Sequence, residues 1–95
     1  MFTLEEITTA VKTAIHGFPV KSIVLFGSYA DGTNTPNSDI DLLVEFETAA
    51  VSLLTLSSLK NRIEETLGIE VDIIHAPLPQ DSIIELGKVV QIYAA

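Results

Sequence analysis

Apolar positions along the chain follow two rhythms, one of about 3.6 residues and one of two, and the switches between them mark the elements. Over residues 3–16, Ile7, Ala10, Val11, Ala14 and Ile15 fall on one helical stripe. Thr3 and Glu6 stand at capping-box spacing at its start, with Phe2 and Ile7 in the two staple positions. Gly17 supplies the stop and Pro19 forbids continuation. The run Ser22, Ile23, Val24, Leu25, Phe26 is then apolar and β-branched, which predicts a buried strand. Residues 27–38, GSYADGTNTPNS, turn abruptly to the chemistry of loops.

From Asp39 to Phe46 the alternation is strict: Ile40, Leu42, Val44 and Phe46 on one face, Asp39, Asp41, Leu43 and Glu45 on the other. One face packs and the other presents carboxylates. Leu53, Leu56, Leu59, Ile63 and Leu67 restore the helical spacing between about Ala50 and Leu67, and Gly68 ends it. Residues 69–75 predict a third strand, with Glu70, Asp72 and Ile74 opposite Val71, Ile73 and His75. Beyond two prolines, the tail from Asp81 reads as a short helix to Leu86, a joint at Gly87 and a strand through Val89, Val90 and Ile92. The order predicts an α/β (α+β) fold, a small mixed sheet layered with helices, and one domain over residues 1–95.

Composition narrows the chemistry. Without cysteine there is neither a disulfide framework nor a thiolate nucleophile or ligand, so any reaction rests on oxygen and nitrogen. Thirteen acidic against five basic residues give a net charge of −8, which argues against a nucleic-acid footprint and suits a basic partner. The acidic start MFTLEE resembles neither a signal peptide nor an anchor, and no apolar window reaches membrane-spanning length, so a soluble cytoplasmic protein is expected.

Asp39 and Asp41 lie two apart on a strand, so both carboxylates share one face and repel unless a cation lies between them. Magnesium fits, being a hard ion that takes carboxylates together with waters and substrate phosphates. Asp72 could be a third ligand if its strand lies beside the first with the same face turned up, a pattern suited to two-metal nucleotidyl transfer. A solvated acidic sheet face would read the same way in isolation. However, Gly27 and Ser28, at the end of an apolar strand twelve residues before Asp39, stand where a backbone amide and a hydroxyl could hold a phosphate.

The string from Phe26 to Val44, FGSYADGTNTPNSDIDLLV, resembles the signature of the DNA polymerase β-type nucleotidyltransferases. In length and detail it is similar to the minimal nucleotidyltransferase (MNT) domain proteins, the antitoxin halves of HEPN/MNT toxin–antitoxin pairs. Residues 67–74, LGIEVDII, resemble that family's third-carboxylate strand. The resemblance implies a polymerase β-like fold in which Asp39, Asp41 and Asp72 hold magnesium and the nucleoside triphosphate. Asp72 would also help to deprotonate the acceptor hydroxyl, while Gly27 and Ser28 grip the phosphates. It further implies transfer of AMP from ATP to a tyrosine of a HEPN ribonuclease partner within a hetero-oligomer. One departure stands out: many relatives carry arginine where this chain has Asp31, which removes a possible phosphate or partner contact. An antitoxin that neutralises its partner by binding alone is the rival expectation.

The remaining polar and aromatic residues read as structural. His16 suits a helix C-terminus, where a cation meets the macrodipole. Tyr29 could stack on a base or pack its loop, His75 packs or is exposed, and Lys60, Arg62 and Lys88 read as isolated surface cations.

Overall fold

A computed structural model describes residues 2–48, 51–75 and 88–95. The order is α1 (Leu4–Ala14), β1 (Val20–Phe26), α2 (Ser28–Asp31), β2 (Ile40–Phe46), α3 (Leu53–Leu67), β3 (Val71–His75) and β4 (Val90–Ala94). The strands form one mixed sheet in the order β3-β2-β1-β4. β1 is antiparallel to both of its neighbours, whereas β2 and β3 run parallel, joined through α3. This is the α/β arrangement that the two rhythms predict.

Local chemistry sets each boundary. The Thr3 hydroxyl accepts from Glu6 N at 3.1 Å while the Glu6 carboxylate accepts from Thr3 N at 3.0 Å, so both halves of the capping box are formed. Ser52 caps α3 by accepting from Thr55 N at 3.1 Å. Gly68 closes α3 at φ 74°, a left-handed conformation that glycine adopts without a Cβ penalty.

One face of the sheet is buried under α1 and α3. Ile23, Leu25, Ile40, Leu42, Val44 and Val71 meet Ile7, Val11, Leu59 and Ile63 there, all with 0% exposure. The alternation in β2 is realised position by position, Ile40, Leu42, Val44 and Phe46 being buried and Asp41, Leu43 and Glu45 half-buried on the other side. That second face is covered by neither α1 nor α3.

Several expectations change. In the first turn of α3, Leu53 and Leu54 are each 81% exposed, so Leu53 leaves the predicted stripe. The predicted loop after β1 contains one helical turn, α2, and Tyr29 is buried at 6% exposure, which settles it as a packing residue. Arg62 is not isolated: it lies 4.9 Å over the Phe18 ring and donates to the His16 carbonyl at 3.0 Å, tying α3 to the turn before β1. His16 itself follows the helix and is exposed. His75 packs edge-on against Phe46, with ring centroids 5.3 Å apart. The strand predicted through Val89, Val90 and Ile92 is present but begins at Val90, while the short helix before it and the joint at Gly87 lie outside the described residues, as does Ala50 at the predicted start of α3.

Candidate active site

Parallel pairing of β2 with β3 puts Asp41 directly beside Asp72, and antiparallel pairing of β1 with β2 puts Phe26 on the other side of Asp41. The three residues form one row across three strands, on the face away from α1 and α3. Sequence alone places Asp39 and Asp41 on a common face. The register that brings Asp72 alongside is a tertiary fact, and it meets the condition under which Asp72 could join them. Asp39 lies one residue before β2 and is exposed.

The row is electrostatically costly. Partial burial pushes the Asp41 carboxyl above its usual pKa, and the charges of Asp72 and then Asp39, with a hydrogen bond to Asp72, push it the same way. The donor set therefore holds anions crowded together. Among the described residues no group of three or more carboxylate or imidazole side chains closes into a cage for an ion. A cage is not what magnesium bound with a nucleotide uses: one or two carboxylates suffice when phosphates and waters complete the shell. The Asp41 and Asp72 pair fits that mode.

Gly27 ends β1 next to this row and caps α2, at φ 77° and ψ −156°. Its carbonyl accepts from Ala30 N at 3.0 Å and Asp31 N at 3.1 Å, which folds the chain back over one turn. Ser28 is the first residue of that turn and is half-buried. Gly27 and Ser28 thus sit at the same end of the sheet as Asp41 and Asp72, as the motif requires.

Asp31, the departure from the family pattern, is occupied locally. Its carboxylate accepts from the Thr33 hydroxyl at 2.5 Å and from Thr33 N at 2.9 Å. Those two bonds, the hydroxyl's first, and more weakly the positive charge of Lys88, hold its carboxyl below the usual pKa. The side chain closes its own loop, and Lys88 shares a hollow of about 320 Å³ with Asp31 and Tyr29.

One positioning contact was not legible in the pattern. Glu64, on α3, accepts from Val71 N at 3.0 Å through its carboxylate, and so fixes the first residue of the strand that carries Asp72. Its only sequence signal is a polar residue near the end of a helix that leads straight into a strand.

Two larger hollows lie elsewhere among the described residues. One of about 520 Å³ runs between α1 and α3 near Thr9, Thr13 and Thr66, in the helix layer. Another of about 460 Å³ has Glu64, Glu65 and Glu70 in its lining. Neither includes Gly27, Ser28, Asp41 or Asp72, and convergent carboxylates at strand ends mark a candidate site better than volume does.

Comparison with known proteins shows the family and the fold. The nucleotidyltransferase domain model matches residues 4–94. Protein adenylyltransferase MntA of Thermococcus cleftensis is 41% identical over 78 residues, which cover 78% of this chain and 78% of that protein. A solved structure described as a candidate minimal nucleotidyltransferase superposes with a TM-score of 0.75 at 30% identity, covering 94% of this chain and 95% of that one. The same fold occurs, with a TM-score of 0.71 at 15% identity, in the complex of a tri-AMPylated Shewanella oneidensis HEPN toxin with its MNT antitoxin, covering 98% of this chain and 74% of that one. With the motif, the carboxylate row and a match over nearly the whole chain in agreement, this protein is a minimal nucleotidyltransferase, an enzyme of the nucleotidyltransferase domain family.

Proposed function

We propose that the chain is a protein adenylyltransferase that transfers AMP from ATP to a tyrosine hydroxyl of a HEPN ribonuclease toxin and so acts as its antitoxin. The observation that carries this reading is the register of Asp41 with Asp72 on adjacent strands, next to the glycine that ends β1. The names of similar proteins support it, MntA being a protein adenylyltransferase and the Shewanella complex pairing an MNT antitoxin with an AMPylated HEPN toxin.

Asp41 and Asp72 would hold magnesium, with the phosphates, waters and Asp39 beside them completing its surroundings. When bound, that ion neutralises the triphosphate and withdraws electron density from the α-phosphorus. The Gly27 and Ser28 turn offers a hydroxyl and a close backbone to the phosphates. Asp72, exposed at the sheet edge, accepts the proton of the incoming tyrosine. The tyrosine oxygen bonds to the α-phosphorus, the anhydride bond to the β-phosphorus breaks, and pyrophosphate leaves in line. The negative charge of the chain favours a basic partner, and a second subunit would supply the acceptor that a small sheet face cannot enclose.

Intact mass spectrometry of the complex with a HEPN partner, incubated with magnesium and each nucleoside triphosphate in turn, tests this directly. One or more adenylyl additions on the partner, absent with Asp39→Asn/Asp41→Asn, are expected. Neutralisation without any mass increase would replace the reading with inhibition by binding alone.

A further inference from the structure

We infer that Gly27 is a positioning residue for Asp41: the missing side chain at position 27 is what leaves the Asp41 carboxylate its place beside Asp72. This rests on the reading of Asp41 and Asp72 as the nucleotide- and metal-holding pair, and it gives Gly27 a task separate from any phosphate contact. Among the described residues four glycines have positive φ. At Gly17, Gly32 and Gly68 a Cβ would meet nothing within 4 Å, so the demand for glycine there comes from the backbone alone. Gly27 differs, because a Cβ built on it would overlap Asp41 Oδ2 and lie 3.2 Å from Asp41 Cγ.

The backbones on both sides of that contact are held, which leaves the Asp41 carboxylate as the part that must move. The Gly27 carbonyl is held by two N–H groups of α2, and the Cα partner of Phe26, one residue earlier, is Asp41 itself. Asp41 is flanked on its other side by Asp72, whose charge already repels it, and its neighbours Ile40 and Leu42 are anchored in the core at 0% exposure. A side chain at position 27 would therefore turn the Asp41 carboxylate out of the row. Asp41 would lose its alignment with Asp72, and the two could no longer bind one ion together.

A thermal double-mutant cycle on the full chain tests the inference, using the unaltered protein, Gly27→Ala, Asp41→Ala and the double variant. Backbone strain at position 27, where φ and ψ suit glycine almost alone, is common to both backgrounds and cancels. The drop in Tm caused by Gly27→Ala is expected to be smaller by about 5 °C or more when residue 41 is alanine. Equal drops in the two backgrounds would overturn the inference. If Gly27→Ala does not fold, a melting transition recovered in the double variant supports it, and none recovered overturns it.

Mn²⁺ affinity, measured by electron paramagnetic resonance, gives a second readout. About 10-fold weaker binding or more is expected for Gly27→Ala. Gly68→Ala, strained in φ but facing open space, should melt lower with unchanged Mn²⁺ affinity. Unchanged affinity in folded Gly27→Ala would refute the positioning role. Absence of Mn²⁺ binding by the unaltered chain would instead count against the metal-holding reading, and the thermal cycle would still decide the role of Gly27.

Discussion

Replacing Asp41 with asparagine should abolish nucleotidyl transfer and at the same time stabilise the protein. Neighbouring strands lie about 4.8 Å apart, so carboxylates on register partners repel by about 3 kcal/mol at an effective dielectric of about 20. Asp72 is exposed, and water screens the pair towards ~1 kcal/mol. In a chain of this size 1 kcal/mol is worth about 4–8 °C in Tm. An asparagine amide can also donate to Asp72, replacing the proton that favours the folded state.

The pH dependence follows from the direction of the Asp41 shift. Its pKa is raised on folding from the usual 3.8, so the folded state binds the proton more tightly. The stability this contributes is complete below the usual value and is lost as pH rises through the raised one. The gain in Asp41→Asn should therefore be present at pH 7 and fade towards pH 4 and below. Thermal denaturation at both pH values, read by circular dichroism without metal, measures it. A variant that melts at or below the unaltered protein at pH 7 would show that the row is not under electrostatic stress.

Two further expectations concern the frame around the site. Glu64→Ala leaves Val71 N without its carboxylate acceptor and should cost about 1 kcal/mol, with faster amide exchange at Val71 and Asp72 in hydrogen–deuterium NMR; unchanged protection there would show that α3 does not fix the start of β3. Leu25→Ala, at a position with 0% exposure between the sheet and the helices, should cost about 2–5 kcal/mol in urea denaturation, whereas Leu53→Ala, 81% exposed, should cost less than about 0.5 kcal/mol.

The sequence by itself determined a good deal. The capping box of Thr3 and Glu6, the stops at Gly17 and Gly68, and the alternation from Asp39 to Phe46 each depend on neighbours a few residues apart, so they could be read without knowing the fold. The expectation that Asp39 and Asp41 share a face has the same local origin. Motif resemblance carried the family further than periodicity could, because it joins positions that no local rhythm connects.

Tertiary structure decided what depends on strand register and on the reach of elements past one another. Asp72 reaches Asp41 because β3 pairs parallel with β2 at one particular offset, and a slip of one residue would have sent its carboxylate into the core. Leu53 satisfies the helical spacing yet is 81% exposed, since spacing alone does not say whether another element covers that turn. The overlap awaiting a Cβ at Gly27 could not be read from any turn propensity. It arises because two strands bring residues 27 and 41, distant along the chain, within van der Waals contact.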